Sequence, residues 1–149
     1  MLLKDICVLD VACCTRDLSI LGAARMMRQQ HTGDLIVVDT DDDERTPVGI
    51  ITDRDIVVDV LAQGGDPSKI SVGDVMTSRL AIASGSEDVS QALSRMREHG
   101  VRRMPIVDDE GSILGIVTLD DLLKLHVEAG AALLEVISKE QTRENRTKR

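Results

Sequence analysis

Apolar residues in this chain recur in an order that is written twice. Ile20, Ala23, Ala24 and Met27 stand at helical spacing and predict a helix over 18–30. Gly33 ends the connection, and Leu35-Ile36-Val37-Val38 is an unbroken apolar run that predicts a buried strand. Residues 39–47 are polar and turn-forming, and 48–52 predicts a second strand. A second helix is expected from Asp53, with Ile56, Val57, Val60 and Leu61 on one face and Gly64-Gly65 as its stop.

The order then returns. Ser86 is a plausible N-cap for a helix carrying Val89, Ala92, Leu93 and Met96, with Gly100 just past its end. Met104-Pro105-Ile106-Val107 predicts a strand, 108–112 a hairpin turn, and 113–118 the next strand. A last helix is expected from Leu119 to about Lys139, with a break at Gly130. Between the copies, 66–74 reads as a short linker. Val75-Met76-Thr77 then leads into Leu80-Ala81-Ile82-Ala83, which predicts an extra strand.

The first helices and strands align at an offset of 69 residues, and the Gly-Thr-Asp segments that follow align at 66. The first hairpin loop is therefore three residues longer and carries Asp41-Asp42-Asp43-Glu44. That acidic run lacks the alternating ligands and glycine of a calcium loop and reads as a solvated turn. A unit of two or three strands and two helices leaves an apolar sheet face bare. Two copies packed face to face about a pseudo-twofold axis bury it. The expected fold is α+β, a pair of small sheets each flanked by two helices. The expected segments are 1–65, 66–138, and a basic tail over 139–149.

Composition narrows the function. With 149 residues, 42% hydrophobic and 30% charged, the chain is globular in character. A net charge of −8 argues against a phosphate-backbone binder, and the basic tail reads as a solvated helix end, so no nucleic-acid partner is expected. No apolar run is long enough to predict a membrane span, and no leader pattern opens the chain; the cytoplasm is the expected compartment. The absence of Phe, Tyr and Trp leaves only aliphatic side chains and backbone to sandwich a planar ligand. Cys7, Cys13 and Cys14 have neither disulfide nor zinc spacing and read as small hydrophobes. His31, His99 and His126 are scattered without partners, so neither a catalytic residue nor a metal site is expected.

The chemistry sits in the duplicated segment. Val48-Gly49-Ile50-Ile51-Thr52-Asp53-Arg54-Asp55 is echoed by Leu114-Gly115-Ile116-Val117-Thr118-Leu119-Asp120-Asp121, where a strand turns into a helix. One reading is structural: Thr52 and Thr118 cap the helices, with Asp55 and Asp121 completing the caps. The other is functional. Free N–H groups and a Thr hydroxyl suit a phosphate, and a carboxylate suits the two hydroxyls of a ribose.

These copies resemble the paired repeats of the cystathionine-beta-synthase (CBS) domain family, or Bateman module. The resemblance rests on Gly115-Ile116-Val117-Thr118-Leu119-Asp120-Asp121, on Val101-Arg102-Arg103-Met104-Pro105-Ile106-Val107-Asp108 before it, and on Asp74-Val75-Met76-Thr77. It covers nearly the whole chain except the tail. It implies a homodimer that binds an adenine nucleotide or related adenosyl ligand (AMP, ADP, ATP or S-adenosylmethionine) in clefts between repeats, with no required cofactor. Carried over, Asp121 holds a ribose and Thr118 a phosphate or ribose, and Asp55 with Thr52 does so in the other cleft. Ala81, Ile82, Met104 and Pro105 resemble the walls around the base, and Arg102 and Arg103 suit phosphate. The first copy departs from the pattern: Asp34 and Ile36 stand where the second has Arg103 and Pro105. An acid near a phosphate repels it, so the Asp121 cleft is expected to be the better site.

Two functions follow. In the first, a non-catalytic module senses a nucleotide and signals through its dimer or a regulated protein partner, with Leu122, Val127, Leu133, Val136 and Ile137 giving the last helix an apolar surface. In the second, the repeats are a ligand-free dimerisation scaffold. An enzyme built on the vicinal cysteines has no nucleophile–base pair to support it.

Overall fold

The computed structural model describes residues 1–39 and 45–147. The expected acidic turn at 41–44 and the last two residues of the basic tail lie outside them. The chain divides into two compact units, Met1–Val117 and Thr118–Arg149.

The first unit holds the duplication. Copy one contains α1 (Leu3–Ile6), β1 (Cys13–Cys14), α2 (Ile20–Gln30), β2 (Asp34–Val38), β3 (Pro47–Thr52) and α3 (Asp53–Asp55), which runs straight into a π-helical stretch, Ile56–Leu61. Copy two contains α4 (Val72–Val75), β4 (Ala83–Ser84), α5 (Val89–His99), β5 (Arg103–Val107) and β6 (Ile113–Thr118), and leads into α6 (Leu119–Thr147). Each copy forms a three-stranded sheet, in order β1-β2-β3 and β4-β5-β6. The first strand of each lies parallel to the second at equivalent register: Cys14 is opposite Val37, and Ala83 is opposite Ile106.

The middle strands are buried because nothing in them is polar after the first residue. Leu35, Ile36 and Val37 are fully buried, as are Met104, Pro105 and Ile106. Burying one such aliphatic side chain contributes about 1.5–3 kcal/mol. One face of β2 packs with Ile20, Ala23 and Met27 of α2, Ile51, and Ile56 and Val60 of the π stretch. On the other face, Ile36, Val38 and Ile50 meet Ile113 and Ile116 of the second sheet. That is the face-to-face contact that closes the pair.

The copies also exchange their lead-in segments. Val8 pairs with Ile116, and Thr77 pairs with Ile50, each through two backbone hydrogen bonds of 2.9–3.0 Å. Likewise Leu2 pairs with Asp88 at the start of α5, and Ser71 pairs with Ser19 at the start of α2. Each copy is therefore completed by residues that precede the other.

Several expectations need correction. The cap of α5 is Asp88, not Ser86: Asp88 accepts from Gln91 N–H and Gln91 accepts in return, both at 2.9 Å, while the Ser86 hydroxyl bonds that of Ser84 at 2.9 Å. The extra strand is only Ala83–Ser84, so Leu80, Ala81 and Ile82 lie before it. Beyond Asp55 the helix widens to π geometry, with Ala62 N–H bonding Val57 and Gly65 N–H bonding Val60. The wider turn keeps Ile56 and Val60 inside and leaves Val57 and Leu61 more than half exposed. Helix α6 does not break at Gly130 and runs to Thr147, because its helix-forming residues continue past Lys139.

Candidate functional site

The exchanged pairing builds a cleft. Joining Thr77 to Ile50 lays Arg79, Leu80 and Ala81 beside the end of β3, where Thr52, Asp53 and Arg54 begin α3. The approach to β5 supplies Val101 and Arg102, and the strand itself Arg103 and Pro105. Together they enclose a cavity of about 550 Å³ within the first unit, inside the range of small-molecule sites.

Its chemistry is two-sided. Ile50, Leu80, Ala81, Val101 and Pro105 give aliphatic surface, and Arg54, Arg79, Arg102 and Arg103 bring four arginine side chains, with the carboxylate of Asp53 on the lining and that of Asp34 paired to Arg103 behind it. In a chain of net charge −8 this is a local reversal of sign. Such a site favours an anion attached to an apolar body.

The duplicated Thr and Asp form capping boxes in both copies. The Thr52 hydroxyl accepts from Asp55 N–H at 3.1 Å, and Asp55 Oδ2 accepts from Thr52 N–H at 2.9 Å. The Thr118 hydroxyl accepts from Asp121 N–H at 3.2 Å and donates to Asp121 Oδ2 at 2.8 Å, while Thr118 N–H reaches the same oxygen at 3.1 Å. The structural reading of these residues therefore holds in both copies. In the first, the box does not engage the Thr52 hydroxyl proton, and Thr52 lines the cleft.

Of the residues singled out from sequence, Thr52, Ala81, Arg102, Arg103 and Pro105 line this cleft together. Asp55 does not; its neighbour Asp53 does, with its Oδ1 accepting from Arg54 N–H at 2.8 Å. Ile82 is half-buried and Met104 fully buried, and neither lines the cavity. Thr118 and Asp121 belong to the second unit. Sequence reasoning missed Asp53, Arg54, Arg79 and Val101. The signal for Arg79 was the repeat itself, since its position is two residues past the segment that crosses to the other copy.

Asp34 comes to the same place. It is opposite Thr52 across the sheet, and its carboxylate lies 3.1 Å from Arg103 Nε. Burial pushes the Asp34 carboxyl up, the Arg103 charge pulls it down, and Asp53 pushes it up again; the net direction is upward. Arg103 Nε is buried and its N–H is not aligned as a hydrogen bond, so at this atom the contact with Asp34 is an ion pair. Elsewhere, burial and the neighbouring Cys13 raise the Cys14 thiol to about 11, which keeps it protonated. Among the described residues no three His, Cys, Asp or Glu side chains cluster as metal ligands, and no helix is long and apolar enough to cross a membrane.

The family model of the CBS domain matches residues 3–61 and 72–128. The chain belongs to the CBS domain family. The CBS pair is 33% identical over 121 residues to Hypoxic response protein 1 of Mycobacterium tuberculosis, covering 81% of this chain and 82% of that one. It is 36% identical over 118 residues to the uncharacterized protein MK0525 of Methanopyrus kandleri, covering 79% of this chain but only 59% of the relative. Its structure resembles the CBS domain pair of protein MJ0100, solved in complex with 5′-methylthioadenosine and S-adenosyl-L-methionine, with a TM-score of 0.73 to 0.75 in two crystal structures. In the first of these the identity is 29%, and the match covers 87% of this CBS pair and 98% of that chain.

Proposed function

We propose that this CBS pair is a non-catalytic regulatory module that takes an adenine nucleotide or related adenosyl compound in the cleft beside Thr52. It signals through a homodimer or a protein partner. The observation that carries the reading is the cavity of about 550 Å³ with aliphatic walls and four arginine side chains in an otherwise acidic chain. Ala81, Val101 and Pro105 take the purine between them, the work that aromatic rings do elsewhere. Arg79, Arg102 and Arg103 face the phosphates, and the Thr52 hydroxyl donates the proton its cap does not use. Asp53 accepts the ribose hydroxyls. A second site of the same design uses Thr118 and Asp121, with Asp121 on the ribose, and Asp55 supports the first site through its cap. The adenosyl ligands of the MJ0100 pair support the ligand class.

The test is calorimetric titration of the full chain with AMP, ADP, ATP and S-adenosylmethionine. Saturable binding by at least one is expected, weakened about tenfold by Arg79→Ala or Arg102→Ala, the worth of one charge-assisted contact. No heat and no melting shift with any of the four sinks the proposal.

A further inference from the structure

Asp34 and Arg103 are the first residues of β2 and β5, and the 69-residue offset makes them one position of the duplication, with its charge reversed. Arg103 lines the cleft. Asp34 is opposite Thr52, another lining residue, and its Oδ2 is 3.1 Å from Arg103 Nε. An acid of one copy thus stands on a base that the other copy brings to the cavity wall. Arg103 is the more accessible of the two side chains, 35% exposed against 17%.

Neither partner is fully served by the other. Arg103 Nε is buried and its N–H has no aligned acceptor, so at that atom Asp34 supplies charge without a hydrogen bond. A phosphate oxygen in line with the N–H supplies both. On the other side of the pair, burial, and after it the charge of Asp53, raise the Asp34 carboxyl against the pull of Arg103. An acid in that condition can lose its base and take up a proton instead. Arg79 and Arg102 stand on the same cavity lining, so a phosphate is drawn toward Arg103 even with Asp34 behind it.

We propose that Asp34 and a phosphate of the bound nucleotide compete for Arg103. When the phosphate takes the guanidinium, the ion pair between the copies opens, and the contact between the starts of β2 and β5 changes with it. An adenosyl ligand without phosphate leaves the pair closed. The two kinds of ligand therefore fill one cleft with different consequences for how the copies are tied together. This rests on the reading that the cleft takes an adenosyl compound, and adds how the charge of that compound is sensed.

Calorimetric titration of the full chain with ADP, and with adenosine, which has the same purine and ribose but no phosphate, tests the competition. Asp34→Asn is expected to bind ADP about fivefold tighter than wild type, the worth of a part-exposed charge pair, and to leave adenosine unchanged. In an Arg103→Ala chain there is nothing to compete for, so adding Asp34→Asn is expected to leave ADP affinity where it was. Asp34→Ser takes the place of the amide variant if that one does not fold. ADP affinity that is unchanged or weakened by Asp34→Asn overturns the competition. So does an equal gain for adenosine, and so does a gain that persists without Arg103, which is repulsion by the acid alone. In all three cases the cleft still binds its ligand and the reading above stands. A wild type that binds neither ADP nor adenosine overturns the competition; if AMP, ATP and S-adenosylmethionine fail as well, the reading of the cleft falls with it.

Discussion

Asp34 and Arg103 hold the same position in the two copies and form an ion pair with each other, Oδ2 to Nε 3.1 Å apart. What looks in the sequence like an acid that spoils one site is the counter-charge of a base from the other copy. The acid therefore does not leave a bare negative charge in the cleft. It holds the two β-strand origins together beside Thr52.

Removing one partner should expose that dependence. Arg103→Ala leaves the Asp34 carboxylate part-buried without its counter-charge and is expected to cost about 1–2 kcal/mol, below the figure for a fully buried pair because Arg103 is about one-third exposed. Adding Asp34→Asn should recover part of the loss. A double-mutant cycle in urea that gives a coupling near zero would show that the two charges do not interact.

The acid limb of stability should carry two opposite contributions. Asp34 has its carboxyl raised by burial, so the stability it contributes is present at low pH and lost as pH rises through its folded value. Burial pushes Glu87 up too, but the Ser84 N–H and Arg95 outweigh it and the net direction is down. Its stability is present above the ordinary carboxylate range and lost as pH falls through its folded value. Relative to wild type, Glu87→Gln should therefore lose its deficit on acidification, and Asp34→Asn should lose its advantage. Denaturation midpoints between pH 3 and 7 (about the carboxylate range and above) read both.

The capping boxes separate folding from binding. Asp55→Ala and Asp121→Ala are each expected to cost about 1 kcal/mol by opening a cap. Asn keeps an acceptor oxygen and should keep most of that stability. A melting temperature equally lowered by Asn and Ala would mean that charge, not the cap, is what these positions supply. Ligand affinity of the Asn variants, measured at equal fold, then tests the proposed ribose contact of Asp121 without a stability artefact.

The repeated glycine has a steric reason. A Cβ at Gly115 would stand 2.6 Å from the Val8 carbonyl oxygen and 2.7 Å from Cys7 Sγ, where the exchanged segment crosses. At Gly49 the nearest atom, 2.5 Å away, is Met76 Sδ at the end of a flexible side chain, and the Thr77 carbonyl is 3.1 Å away. Gly115→Ala should cost about 2–3 kcal/mol and Gly49→Ala about 1. Equal costs would mean that the Val8 backbone yields as readily as a methionine.

Much of the fold was legible because its elements follow local pattern: α2, β2, β3, β5 and β6 lie where periodicity and turns put them. The misses are non-local or nearly degenerate. Ser86 and Asp88 are both good caps, and the choice fell to the residue with Gln91 three positions on. Nothing local announces that lead-in segments cross over, and that crossing decides which side chains share the cleft. Thr52 was legible as a site residue from its motif. Its grouping with Arg102, Arg103, Ala81 and Pro105 was not, because it arises from pairing Thr77 with Ile50.

That crossing also orders the birth of the molecule. The segment that leads into the first copy, which includes Leu2 and Val8, has its partners at Asp88 and Ile116, more than a hundred residues later in one case. It must wait, unpaired, until the second copy is made, while the first sheet is finished as soon as Thr77 emerges. Pairings of such long sequence separation slow folding and lengthen the time that apolar surface is bare. A chain cut between the copies would yield halves that each lack a piece of themselves, and each would find it only by meeting the other half.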